Sequence, residues 1–350
     1  MIKTKPSAPT SLPAPPSQRH YRSGKKLALL LTLVLLAAIA ASMLLGARPL
    51  NPARLADYLL GRNLTSMEEA VIEQRGVRTL WAGSIGAALA LAGTGMQGIT
   101  RNPLGDPGIL GINAGAAFAV VAGITFLGAA GPGSYASLAL LGAGGAAVLV
   151  YCLAALGPAG ATPIKLALIG SAISAGLGSL TSAFILHQDA ALDALRTWQI
   201  GSVAASSMTD YLPGGLLMLA GAAILLLEAR TINNFALGDD IAAALGENLT
   251  YKRSLIFMGV ALLCGSATSM AGPIAFVGLM VPHMLRSLSG PDYRRLIPLA
   301  APLGASLLIL ADSLGRIVLP PEEIPVGVSM IMLGVPMFIY LVRQQRAVDL

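Results

Sequence analysis

The sequence is poor in charged residues. Only 11% of its 350 residues are Asp, Glu, Lys or Arg, whereas 55% are hydrophobic. A soluble domain carries about 25% charged residues. So little charge cannot cover a surface that faces water, and we therefore expect lipid to surround most of this chain.

Residues for metal and redox chemistry are equally scarce. Cys152 and Cys264 lie far apart in apolar runs, outside any C-x-x-C motif, and we expect two small core residues rather than a disulfide. The three histidines do not form the H-E-x-x-H spacing of a zinc hydrolase, so no metal site is predicted. His283 follows Pro282 within an apolar run, where a structural role and a ligand or catalytic role both stay open.

The chain also lacks its own source of energy. No G-x-x-x-x-G-K-[ST] motif occurs, and no apolar run carries a row of acids that could relay protons. Asp312 is either a functional acid or a local partner of Arg316, four residues later. With no catalytic constellation, we expect a transport protein with no catalytic residue of its own, driven from outside the chain.

The distribution of basic residues indicates membrane topology rather than nucleic-acid binding. The net charge is +6, but aromatic residues are only 5%, and Lys and Arg lie scattered at the ends of apolar runs. Placing both termini in the cytoplasm puts every lysine and most arginines on the inner side, as the positive-inside rule expects.

Recurring apolar runs predict an all-α, polytopic membrane protein with about ten transmembrane helices. Residues 1–24, which hold five prolines, predict a disordered cytoplasmic tail, and 25–346 form the transmembrane domain. The predicted spans lie near residues 27–47, 79–99, 107–128, 134–156, 164–187, 209–229, 253–272, 274–289, 294–314 and 326–343.

Two stretches rich in glycine and proline interrupt this pattern, RNPLGDPGILG (101–111) and AGPIAFVGLMVPHMLR (271–286). Broken spans in matching halves are typical of repeat-built transporters, but simple helix ends explain them equally well. In the first stretch, we expect a cytoplasmic turn in which Asp106 lies at the start of the next helix, where negative charge is favoured.

The loop between spans 6 and 7 predicts a short amphipathic helix on the cytoplasmic side. Ile241, Ala244 and Leu245 share one side of it, and Gly246 is a natural stop. A short helix outside the bilayer is typical of a docking element.

Long motifs then resemble a known family. LALAGTGMQGITRNPLGDPGILGINAGAAFAVV, GDDIAAALGENLTYKR and SMAGPIAFVGLMVPHMLRSLSGPDYRRLIPLAAPLGASLLILADSLGRIV resemble the FecCD permeases of binding-protein-dependent ABC importers for iron–siderophore, haem and cobalamin. The similarity runs from about Leu27 to Val342. It implies the type II ABC importer permease fold, with two permease subunits around a central pathway in the cytoplasmic (inner) membrane.

The resemblance also implies partners and a substrate. Two separate ATPase subunits would use ATP and Mg, this chain would bind no cofactor, and a periplasmic or surface-anchored siderophore-binding protein would deliver the substrate. A heterodimer with a second permease chain is expected, with a homodimer as the alternative. The stretch LGINAGAAF is closest to ferric-siderophore members of the ferric-enterobactin type. Haem or cobalamin import, and a stand-alone secondary transporter, are the alternatives.

Site residues follow from the same resemblance. Arg75 and Arg78, in Arg-Gly-Val-Arg rather than the family's Arg-Leu-Pro-Arg, and Arg316 would meet acidic residues of the binding protein, unless they are merely solvated loop-end charges. Ser171, Ser174, Ser179 and Thr181 are pathway candidates, although they could equally form a helix–helix seam. The ATPase-coupling segment, 236–250, would act through Gly238, Asp239, Asp240, Ala243, Ala244, Leu245 and Gly246.

Overall fold

The computed structural model describes residues 24–46, 50–62, 64–157, 160–186, 188–204 and 208–346. This part of the chain is α-helical, with no strand. The predicted tail, residues 1–24, lies outside the described residues except for Gly24, which begins the first helix.

Fourteen α-helices make up the described chain. They are α1 (Gly24–Leu44), α2 (Pro52–Leu59), α3 (Ser66–Thr100), α4 (Ile112–Leu127), α5 (Pro132–Ala155), α6 (Pro163–Ile185), α7 (Asp189–Gln199), α8 (Met208–Leu227), α9 (Ala229–Ala236), α10 (Asp239–Ala244), α11 (Leu249–Ala271), α12 (Val277–Ser289), α13 (Tyr293–Val318) and α14 (Val326–Arg346). Ten of them, α1, α3 to α6, α8 and α11 to α14, coincide with the ten predicted spans.

The membrane helices differ in length. Six described helices are long and apolar enough to cross a bilayer, and α8 with α9, bent by 55°, counts as a seventh if the pair is one span. Helix α4 and the apolar part of α14, Val326–Tyr340, are shorter, and α12 has only 13 residues. The all-α polytopic fold is confirmed.

Small residues bring the helix backbones into direct contact. A Cβ atom on Gly93 of α3 would lie 2.1 Å from the carbonyl oxygen of Gly278 on α12. Helices α4 and α5 approach just as closely at Gly115 and Gly142. Lipid offers helices no hydrophobic drive to associate, so close packing of small residues holds the bundle together.

The first interruption begins where α3 ends at Thr100 and contains a 3-10 turn, Pro107–Leu110. Asp106 lies at the N-cap of that turn and accepts a 2.7 Å hydrogen bond from the Gly108 amide, which confirms its predicted place at a helix start. Asn113 then bonds to Thr268 near the outer end of α11. The stretch therefore rises from the cytoplasmic side into the bundle.

The second interruption enters from the opposite side. Gly272 ends α11, and Phe276, with φ of 70°, precedes α12. A Cβ atom on Gly278 would lie 3.6 Å from Cδ of Pro107, so the two broken stretches meet inside the protein. Irregular backbone at membrane depth is tolerated where protein buries it. The second half of the first stretch, with Gly105, Pro107 and Leu110 buried, is therefore enclosed by the protein, whereas residues 101–104 are exposed.

Two expectations need correction. Cys264 is buried as predicted, but Cys152 is exposed, because α5 turns that face away from the rest of the chain. Helix α3 begins at Ser66 rather than near residue 79, since Thr65 and Glu68 form a capping box that starts the helix in the polar loop.

Candidate functional site

An ion-pair cluster lies at the outer ends of α3 and α13. Arg78 binds Asp312 through both edges of its fork, with Nε donating to Oδ2 at 2.9 Å and, more weakly, to Oδ1 at 3.2 Å, and with Nη2 donating to Oδ1 at 2.7 Å. Its Nη1 donates to Oε2 of Glu323, in the α13–α14 loop, at 2.6 Å. Such bidentate pairing fixes the guanidinium plane as well as its position. Arg78 thus joins α3 to α13 and to the following loop.

The other two arginines predicted for docking lie beside this pair. Arg316 donates from Nη2 to Oγ of Ser42 at 2.7 Å, and its Nε lies 3.3 Å from Oδ2 of Asp312. The local pair of Asp312 with Arg316 is therefore present, although the bidentate partner of Asp312 is Arg78. Arg75 donates to the carbonyl of Met43 at 3.0 Å, which satisfies the end of α1.

The three arginines line one cavity. They surround a volume of about 400 Å³ together with Gln74, Glu323 and other residues of the outer surface. Each arginine is buried, so they are not three solvated loop-end charges. Among the described residues, the carboxylates that pair with these arginines are Asp312 and Glu323.

The cytoplasmic segment forms the predicted short helix, α10. Gly238, with φ of 117°, precedes it, and Gly246, with φ of 87°, ends it in a conformation that favours glycine. Ala242 is buried, whereas Ile241 and Leu245 are exposed. An apolar face is thus open on the cytoplasmic side of the chain.

The adjacent acids Asp239 and Asp240 have different surroundings. Oδ1 of Asp239 accepts hydrogen bonds from Nη2 of Arg101 at 3.0 Å and from Nη2 of Arg253 at 2.9 Å. Asp240 is exposed. The sequence does not distinguish the two acids. The fold shows that Asp239 is paired with arginines of this chain, whereas Asp240 faces solvent.

Helix α9 attaches the segment to the bundle. Asn233 donates to Oδ1 of Asp292 at 3.1 Å and accepts from the amide of Tyr293, at the start of α13. Burial of Asp292 opposes its ionisation, but hydrogen bonds from the Arg294 side chain and amide outweigh this and lower its pKa. A charged Asp292 therefore caps α13 and holds α9 against it.

The pathway candidates all lie on α6. Ser171, Ser174, Ser179 and Thr181 each donate to a carbonyl one turn earlier in the same helix. Ser171 and Ser179 are exposed, and Thr181 is buried. Within this chain, Ser171 and Ser179 therefore form no helix–helix seam.

A polar cavity adjoins the outer half of α6. It has a volume of about 570 Å³ and includes Asn113, Thr181, Arg196 and Gln199 in its lining. The cavity lies between α4, α6 and α7. In the described part of the chain, no group of three or more His, Cys, Asp or Glu side chains is placed to hold a metal ion.

A bundle of apolar helices interrupted at two glycine- and proline-rich stretches, with a short helix in the loop between two of them, is the architecture of a multi-pass membrane protein. Residues 33–344 match the FecCD transport family, and the chain belongs to this family. It is a permease of the cytoplasmic membrane.

Two relatives match nearly end to end. The ferric enterobactin transport system permease protein FepD of Escherichia coli (strain K12) is 38% identical over 315 residues, covering 90% of this chain and 94% of FepD. The probable siderophore transport system permease protein YfiZ of Bacillus subtilis (strain 168) is 37% identical over 314 residues, with the same shares covered.

The fold of this chain is also similar to that of a solved structure. An inward-facing, metal-chelate type ABC transporter has a TM-score of 0.79 and 28% identity, over 92% of this chain and 99% of that one. Permeases of this class work with ATPase and solute-binding partners.

Proposed function

We propose that this chain is the permease subunit of an ABC importer that carries an iron–siderophore complex inward across the cytoplasmic membrane. The observation that carries the proposal is the match to siderophore-type permeases over about nine-tenths of the chain. We propose a substrate of the ferric-enterobactin type, because FepD is among these relatives.

The cytoplasmic surface supports ATPase docking. Ile241 and Leu245 expose an apolar face on α10, which suits insertion into a cleft of an ATPase subunit. Two ATPase subunits would use ATP and Mg, so that this chain needs no cofactor of its own. ATP binding would close the ATPases, move α10 and tilt the membrane helices against one another.

The outer cavity supports docking of a loaded binding protein. A carboxylate of that protein would enter the cavity lined by Arg75, Arg78 and Arg316, where its charge is attracted. The binding protein would then release its substrate above a pathway shared with a second permease chain, in a heterodimer. Ser171 and Ser179, exposed on α6, would line that pathway. The contacts between these side chains and the substrate would be weak, because the substrate must leave the pathway as well as enter it.

Reconstitution tests the proposal. The chain is co-expressed with candidate permease, ATPase and binding-protein partners and placed in proteoliposomes. We expect ATP-dependent uptake of radioactive iron chelated by a catecholate siderophore, and ATPase activity stimulated by the loaded binding protein. Ferric hydroxamate, ferric citrate, haem and cobalamin serve as competitors. Uptake by this chain alone, driven by an ion gradient, would contradict the proposal and indicate a secondary transporter.

A further inference from the structure

Asp239 joins three elements at the cytoplasmic face. It is the first residue of α10, and one of its oxygens, Oδ1, accepts hydrogen bonds from both Arg101 and Arg253. Arg101 is the residue at which α3 ends, and Arg253 lies near the start of α11. One carboxylate oxygen therefore connects the coupling helix to the ends of two membrane helices.

The two arginines are held differently. The side chain of Arg253 is 8% exposed, and its guanidinium carbon lies 5.4 Å from the ring centre of Phe235. The side chain of Arg101 is 39% exposed. The Arg253 contact therefore anchors α10 on α11, whereas the Arg101 contact crosses open surface to reach α3.

Arg101 also has an unusual backbone conformation. Its φ is 52°, in the left-handed region that costs a non-glycine residue about 1 kcal/mol. Helices that end this way usually place glycine or asparagine there. Neither could reach Asp239, whereas the Arg101 guanidinium extends over the coupling helix, with Nη1 3.7 Å from the position of a Cβ on Gly238. Such an outlier is a reason to look for a function.

The turn that follows Arg101 is wedged between membrane helices. A Cβ atom on Gly170 of α6 would lie 2.0 Å from the carbonyl oxygen of Ile109, and Pro107 packs beside Gly278 of α12. Close-packed interfaces of this kind transmit displacement rather than absorb it. A displacement of residues 107–110 would therefore be transmitted to α6 and α12.

We propose that Arg101 is the positioning residue through which the coupling helix moves the turn 101–111 and, with it, the membrane helices. This inference rests on the proposed function, because it needs an ATPase that displaces α10. The ATPase acts on the exposed face of α10, Asp239 carries the displacement to Arg101, and the turn passes it into the bundle. Asp240 takes no part in this link.

The variant Arg101→Gln tests the link in the full importer. We expect the substrate transported per ATP hydrolysed to fall about fivefold, at the lower end of coupling free energies between sites. ATPase affinity and thermal stability should stay unchanged, since a half-exposed ion pair contributes little to folding. Arg101→Lys should recover most of the coupling, and Arg230→Gln, at an exposed arginine of α9, is the matched control.

A second measurement follows the motion without measuring transport. Spin labels are placed at Leu104→Cys in the turn and Leu237→Cys before α10, after Cys152 and Cys264 are replaced by alanine. In the otherwise wild-type importer, the distance between labels should stay constant when ATP binds, because the two segments move together. In Arg101→Gln it should change.

Three outcomes would overturn the link. They are unchanged transport per ATP in Arg101→Gln, weaker ATPase binding in that variant, and label distances that respond alike in both proteins. The loss of coupling in the double variant Asp239→Asn with Arg101→Gln should be smaller than the sum of the two single losses, because the two residues share one contact, although Asp239→Asn also weakens the bond to Arg253. Failure of the proposed function can be distinguished from failure of this link. If the proposed function is wrong, the importer with wild-type Arg101 shows no ATP-driven uptake at all.

Discussion

Replacing Asp312 with asparagine removes one negative charge from the outer cluster and keeps the size of the side chain. Asp312 is only 2% exposed and receives the hydrogen bonds of the Arg78 fork. Its Oδ2 is also 3.3 Å from Nε of Arg316. The variant leaves two buried guanidinium groups beside a neutral amide, while Glu323 alone stays paired with Arg78.

The expected cost follows from burial. Removing one partner of a buried ion pair typically costs 3–5 kcal/mol, and we expect Asp312→Asn to destabilise the chain by about 3 kcal/mol. Glu323→Gln is the matched comparison, because it also removes a carboxylate from Arg78. Glu323 is 35% exposed, so water can replace part of the lost contact, and we expect a cost of about 1 kcal/mol or less.

Unfolding in mixed micelles measures both variants. The denaturing detergent is titrated, and tryptophan fluorescence reports the transition, since Trp81 lies in α3 one turn below Arg78. The difference in free energy of unfolding between Asp312→Asn and Glu323→Gln should be about 2 kcal/mol. Equal costs would refute the argument, because they would mean that water reaches Asp312 as freely as Glu323.

Four further predictions concern other parts of the molecule. Gly93→Ala should force α3 and α12 apart and cost about 3 kcal/mol in the same unfolding assay. Arg75→Gln should weaken docking of the binding protein roughly tenfold, as expected for loss of a charged hydrogen bond, in a surface-binding measurement on nanodiscs. Ser179→Cys should react with a water-soluble maleimide if α6 lines the pathway. Aspartate at both Ile241 and Leu245 should abolish co-purification of the ATPase without changing the melting temperature.

Each of these predictions has a control or a contrary result. Gly144→Ala meets open space and should be neutral or slightly stabilising. Arg62→Gln, at an exposed outer arginine, should leave docking unchanged. Leu141→Cys, exposed on α5, should stay unreactive in lipid, since only the thiolate reacts. Full recovery of the ATPase with the aspartate variant would contradict docking on α10.

The sequence predicts the spans well because lipid imposes a long apolar run on each one. An apolar run does not reveal a helix, or a part of one, that is polar. The first 13 residues of α3 precede the predicted apolar span, and the capping box of Thr65 and Glu68 is the sequence signal for that start. Helix α7 was missed because its residues, DAALDALRTWQ, show no apolar run.

The site could be predicted only in part. The resemblance placed Arg75, Arg78 and Arg316 on the outer side, but their burial follows from contacts across the chain. Arg78 and Asp312 are 234 positions apart, and no local pattern joins them. The same holds for Arg101 and Asp239, 138 positions apart. Pairings of this kind depend on how helices pack, which local periodicity does not determine.

Helix α3 reaches both regions. It runs 35 residues without proline, about 52 Å at 1.5 Å per residue, and carries Arg75 and Arg78 near its outer part. Arg101 closes its inner end. Under the proposed function, the binding protein and the ATPase would therefore act on two ends of one helix, at sites roughly 35 Å apart along its axis. In that case, a displacement at either site would act on the same continuous helix.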